Sequence, residues 1–290
     1  MKNRKIITTL VLLIALASTI AASSGIFSNE GPGQYEYESI RGQKVMIYGK
    51  GLYQHMSADV AIQGIAQDYI TLFVGVPLLL ISLLLSRKNP LRGLFLLSGT
   101  LGYFLVTYLF YLAMGMYNWM FLVYAFLLGS SFFALILTIL SFNPDEMKQL
   151  LKSEKPLRDA GIFLIINGSL VALLWLGIIV PPLINNTIFP PELQHYTTLI
   201  VQGFDLGLLL PIAFVVGYLA IKKNFYGYLF TPIYMIFLSL LMTALVSKIL
   251  FMAKAGANVI PAVFIMPTIA LISITFSVLL LRNLQTGNLK

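Results

Sequence analysis

Ile62-Gln63-Gly64-Ile65-Ala66-Gln67-Asp68 opens a stretch that runs through Pro77 to Arg87-Lys88-Asn89 and Gly93-Leu94-Phe95. A second copy opens with Val201-Gln202-Gly203-Phe204-Asp205 and runs through Pro211 to Lys222-Lys223-Asn224 and Gly227-Tyr228-Leu229-Phe230. Each copy sets a carboxylate at one end of an apolar span, a proline inside it and basic residues at the other end. The pattern predicts a membrane protein built from two related halves.

Composition agrees with that reading. Of 290 residues, 58% are hydrophobic and 10% charged, against roughly 25% charged in an ordinary soluble domain. Runs of about 20 apolar residues recur, long enough to cross a hydrocarbon core of about 30 Å. The formal charge of +8 forms no basic stripe interleaved with aromatics, so nucleic acid is excluded as a partner; the lipid bilayer takes its place. The absence of cysteine excludes disulfides, thiol chemistry and Cys-ligated metals. No P-loop or nucleophile elbow is present, and no cofactor is expected.

The expected fold is an all-α integral membrane protein of about eight spans, arranged as two parallel four-helix repeats. Met1–Lys5 is a basic head on the apolar run Ile6–Ala22, longer than the usual signal-peptide core of about 7–15 residues, so residues 1–27 are read as a retained first span. Residues 28–67 form the one sizeable polar segment: Tyr35–Ile40 alternates, Arg41-Gly42-Gln43 turns and Val45–Tyr48 returns, a small β-hairpin. An amphipathic lead-in to the second span follows. Spans two to four occupy 68–142, a linker 143–160, and spans five to eight 161–290, with helices at about 69–86, 93–115, 119–141, 161–182, 199–221, 228–251 and 260–281.

Lysine and arginine fix the expected orientation. The N-terminus, the loops at 87–92, 142–160 and 222–227, and the C-terminal tail hold 14 of the 19. The opposite side holds Arg41, Lys44, Lys50, Lys248 and Lys254. The positive-inside rule puts both termini in the cytoplasm of a plasma-membrane protein. Each half has an even number of spans, so the copies share one orientation, related by an axis along the membrane normal.

Candidate site residues fall near the outer ends of the second and sixth spans. An intramembrane carboxylate is costly, about 2.5–3.5 kcal/mol at the bilayer centre, so Asp68 and Asp205 are expected to face protein or water. With Lys248, Gln63 and Gln202 they are the candidates for binding an ion or small polar ligand; pairing of the carboxylates with Lys248 as simple anchors is the competing expectation. Gly203 and Gly207 suggest close helix approach. Ser239, Thr243 and Ser247 recur every four residues, as interhelical hydrogen bonding or a polar path requires. His55 and Asp59, with Glu192 and His195, have spacings that put each pair on one helix face, a ligand inventory for a metal ion. Tyr117, Trp119 and Tyr124, with Tyr103 and Tyr108, read as interfacial and packing aromatics.

Gly51-Leu52-Tyr53, Gln67-Asp68, Gly75-Val76-Pro77-Leu78, Arg92-Gly93, Gly99-Thr100-Leu101-Gly102-Tyr103-Phe104 and Tyr117-Asn118 resemble a group of uncharacterised bacterial multi-pass membrane proteins. Asp205, Pro211, Gly227-Tyr228 and Lys248 are similar to the same group. The resemblance implies a bacterial plasma membrane and brings no function and no catalytic residues. A small permease or sensor with an outward-facing polar cavity is the function expected first. A metal-dependent hydrolase at the outer face and an envelope scaffold, whose outer loop binds a protein partner, are the alternatives.

Overall fold

In the computed structural model of the chain, residues 3–143, 151–185, 187 and 189–285 are described. Part of the 143–160 linker therefore lies outside the described residues. Among those described, eight helices are long and apolar enough to cross a membrane: Arg4–Phe27, Ala58–Lys88, Pro90–Met114, Phe121–Ile139, Lys155–Ile184, Ile200–Ile221, Phe225–Lys254 and Ala262–Arg282. They are called spans one to eight below. The chain is an all-α multi-pass membrane protein, the form in which every backbone group within lipid finds its partner inside its own helix.

Span two differs from expectation. No separate lead-in precedes it; the helix is continuous from Ala58 to Lys88. Its polar residues Gln67, Asp68 and Thr71 are buried: Gln67 Nε2 donates to Tyr103 Oη at 2.9 Å and Thr107 Oγ1 at 3.2 Å on span three. Span five begins at Lys155 rather than near 161, because Pro156 suits the first turn of a helix.

Spans two and six share one irregularity. Thr71–Gly75 and Asp205–Leu209 are each a five-residue π-helical segment, followed at once by an α-helix with proline in its first turn. Proline lacks an N–H and its ring collides with the carbonyl four residues back. Widening the preceding turn relieves both problems. Each segment is then held by a tyrosine of the following span: the Tyr103 hydroxyl lies 2.9 Å from Thr71 Oγ1, and Tyr234 Oη donates to Leu209 O at 2.9 Å.

One chain spacing separates Thr71 from Asp205, Pro77 from Pro211, Ser86 from Ala220 and Gly93 from Gly227. A Cβ on Gly93 would strike the backbone of Leu85 and Ser86; one on Gly227 would strike that of Leu219 and Ala220. In this register the position level with Asp205 is Thr71, and the one level with Asp68 is Gln202.

The centre is the crossing of spans three and seven. A Cβ on Gly99 would come within 2.5 Å of Ile236 Cβ and 2.9 Å of Ile233 O. Gly161 and Gly217 bring spans five and six together in the same way, each facing the other's carbonyl oxygen. Gly203 and Gly207 do not act so. Both are exposed, and a Cβ on either would meet nothing within 4 Å; the expected close approach is absent because this pair faces away from the neighbouring helices. Span one is packed into the core, with Ile7, Val11 and Ile14 fully buried.

Outside the spans, Tyr35–Glu38 pairs antiparallel with Lys44–Ile47, Tyr35 opposite Ile47. Gly42 takes φ +75° in the connection, a conformation that a residue without Cβ adopts freely. The hairpin segment is tied to the 189–197 turn. Gln43 Nε2 donates to Pro191 O at 3.0 Å, the Arg41 guanidinium lies 5.1 Å from the centre of the Phe189 ring, and Ser57 N donates to Tyr196 Oη at 3.3 Å.

Candidate functional site

A cavity of about 310 Å³ is lined by residues of spans two to eight. Its wall takes Tyr53 and Met56 from the segment before span two, Gln63 from span two, Tyr111 from span three, Trp175 from span five, Asp205 from span six, and Lys248 from span seven. Much of the remaining lining is apolar, including Val171, Leu238, Met242 and Met266. The arrangement is that of a small-molecule pocket: a mostly apolar enclosure with a few converging polar groups.

Asp205 enters it from the first residue of its π segment. Trp175 Nε1 donates to Asp205 Oδ2 at 2.8 Å, and among the described residues no donor reaches Oδ1. Lys248 also lines the cavity and interacts electrostatically with Asp205 and, less strongly, with Asp68. It makes no hydrogen bond and no ion pair within 4.0 Å among the described residues. An unpaired ammonium in an apolar enclosure is costly unless something else solvates it.

Asp68 is placed differently. It is 1% exposed and does not line the cavity. Tyr53 Oη donates to its Oδ2 at 2.5 Å, and Tyr111 Oη lies 2.8 Å from Oδ1 and 3.1 Å from Gly64 O. Asp68 stands behind these two tyrosines and fixes them in the cavity wall. Gly25 of span one closes the other side, where a Cβ would overlap the carboxylate. Around this point Tyr53, Tyr108, Tyr111 and Tyr124 pack edge-on or stacked with ring centres 5.3–6.5 Å apart, as aromatic pairs prefer. Tyr103, Tyr108 and Tyr124 are buried, whereas Tyr117 and Trp119 are 79% and 66% exposed.

Of the other candidates, Gln63 is on the wall and Gln202 is half-buried but not part of it. Ser239 Oγ contacts Ser277 Oγ at 2.9 Å and Ser247 Oγ donates to Ala66 O at 3.1 Å; Thr243 bonds back to its own helix. None of the three lines the cavity.

The metal candidates do not gather into a ligand set. Among the described residues there is no group of three or more His, Asp or Glu side chains placed to hold an ion. His55, Asp59 and Glu192 are exposed. The His195 ring is tilted by 37° against Tyr196, with centres 4.4 Å apart, and its Nε2 is 3.2 Å from His55 O. The helix face expected for Glu192 and His195 is not formed: Pro191–Leu193 is a 3₁₀ turn, and Gln194 takes φ +51° after it.

Trp175, Tyr53, Tyr111 and Asn167 escaped sequence reading. Trp175 carried a usable signal, since it stands well inside a span rather than in an interfacial belt. Asn167, which also lines the cavity, is a buried amide within a span.

No protein-family model, curated protein or solved structure matches the chain. The bacterial resemblance drawn from the sequence gains no support there, and the geometry alone carries the functional argument.

Proposed function

We propose that the protein is a small permease- or sensor-type membrane protein whose central cavity binds a small polar ligand between two related halves. The observation that carries this reading is the pair Asp205 and Lys248. Both line one cavity, each keeps hydrogen-bonding capacity unused among the described residues, and they do not close on each other. A carboxylate and ammonium kept as mere anchors would gain most by pairing.

The duplication is supported by the shared spacing of the π segments, the prolines and the glycines that meet backbone, Gly93 and Gly227. A parallel repeat related by an axis along the membrane normal puts its ligand site between the halves. The excess of basic residues at the 87–92, 152–158 and 222–223 ends puts those loops in the cytoplasm. Gln63, Asn118 and Lys248 then face the outer end of the cavity, beneath the hairpin segment. In this reading Asp68 positions Tyr53 and Tyr111, and Asp205 and Lys248 contact the ligand.

The native chain has no cysteine, which makes thiol labelling clean. A Gln63→Cys variant should react with a membrane-impermeant maleimide added outside intact cells. A folded variant that stays unreactive from either side would remove the cavity as a ligand site.

A further inference from the structure

We infer that the ligand of this cavity is a zwitterion with an apolar body, of the size and head-group chemistry of an apolar α-amino acid. The inference rests on the reading of the cavity as a binding site and goes on to name what fills it.

The charges on the wall make the selection. Asp205 offers one carboxylate oxygen, Oδ1, since Oδ2 already accepts from Trp175. Lys248 offers an ammonium without a partner within 4.0 Å among the described residues. Asp68 is not offered to the ligand, since its two oxygens are engaged by Tyr53 and Tyr111. A simple anion drawn to Lys248 would meet the Asp205 carboxylate, and a simple cation drawn to Asp205 would meet Lys248. A neutral apolar molecule would displace water from both groups and replace none of its hydrogen bonds. A molecule carrying an ammonium and a carboxylate on one carbon answers each: its carboxylate faces Lys248 Nζ and its ammonium faces Asp205 Oδ1.

Size and lining choose the rest. The volume of about 310 Å³ is at the lower end of the roughly 300–1,000 Å³ of ligand pockets. Away from the charged pair the wall is mostly apolar, with Val171, Leu238, Met242 and Met266, and Asn167 adds one amide. Unbranched methionines adapt to aliphatic and aromatic bodies alike, so the head group is read strictly and the side chain loosely.

The test is equilibrium binding to the purified full-length protein in lipid nanodiscs. The probes are L-phenylalanine, phenethylamine, which lacks the carboxylate, and 3-phenylpropionate, which lacks the ammonium. L-Phenylalanine should bind, and each singly charged analogue should be weaker by about 10- to 100-fold, the value of one charged hydrogen-bonding partner. Lys248→Met should erase the preference for phenylalanine over phenethylamine, and Asp205→Asn the preference over 3-phenylpropionate. A protein that binds a singly charged analogue as tightly as the zwitterion overturns the inference while leaving the cavity as a site. Failure of phenylalanine, leucine and methionine all to bind overturns it as well. The wild-type comparison needs no variant to fold, and loss of thiol access at Gln63→Cys would be a failure of the cavity itself.

Discussion

Tyr53 and Asp68 join the segment outside the membrane to the interior of span two: the tyrosine hydroxyl donates to Asp68 Oδ2 at 2.5 Å, with Asp68 1% exposed. Tyr53→Phe keeps the ring packing and strips one donor from a buried carboxyl group. The expected cost is about 1–3 kcal/mol, read as a lowered Tm in detergent. Asp68→Asn should cost less than Asp68→Leu, because an amide still meets both tyrosine hydroxyls. Equal stability of Tyr53→Phe and wild type would show that the bond holds nothing.

Glycines divide into two classes that stability measurements can separate. At Gly25 a Cβ would overlap the Asp68 carboxylate, and at Gly227 the backbone of Leu219. Alanine there should destabilise by about 1–3 kcal/mol, as overpacking does. At Gly203 the space is open, so Gly203→Ala should be neutral or stabilising by up to about 1 kcal/mol from helix propensity. Thermal melts of the three single variants check the order; a destabilised Gly203→Ala beside a neutral Gly25→Ala would reverse it.

His195 makes the junction between the hairpin segment and the 189–197 turn sensitive to acid. Burial lowers its pKa from the usual 6.5, and the hydrogen bond to His55 O only partly offsets this. Its Nδ1 is buried without a partner, so the neutral ring fits, donating from Nε2, and protonation would add a donor with nothing to accept it. A pKa lowered in the folded state means stability is complete above pH 6.5 and is lost as pH falls below it. The ring's neighbours are Tyr37, Tyr196 and the His55 carbonyl. Amide exchange over residues 35–57 should therefore speed up between pH 7.5 and 5.5, and His195→Gln should flatten that difference. Exchange that is pH-independent after correction for intrinsic rates would contradict the assignment.

Much of the architecture was legible because membrane helices advertise themselves locally. The runs Ile6–Ala22 and Phe121–Ile139 need no partner to be read as spans, and the alternation at Tyr35–Ile40 with Gly42 gave the hairpin. Asp205 and Lys248 stood out because charge inside an apolar run is expensive. The partners that define their roles did not stand out. Trp175 reaches Asp205 from another span, and Tyr53 and Tyr111 reach Asp68 from 15 and 43 residues away, with nothing in either neighbourhood to mark the pairing. Gly203 and Gly207 had the right spacing for a helix contact, but spacing does not say which face meets a neighbour. Asp68 and Asp205 looked equivalent by residue type, yet Asp205 opens a π segment while Asp68 stands three residues before one.

The account turns on Asp205 and Lys248 facing the cavity as free charges, and a local potential measurement tests that most directly. In the Gln63→Cys background, the rates of modification by an anionic and a cationic thiol reagent of equal size report the charge near the cavity wall. Lys248→Met should shift the anionic-to-cationic rate ratio downward, on the order of fivefold for a unit charge at this range in a wet cavity. Asp205→Asn should shift the ratio upward. A ratio that neither substitution changes, in folded protein that still labels, would mean that both charges are neutralised within the protein, and the site would not exist as described.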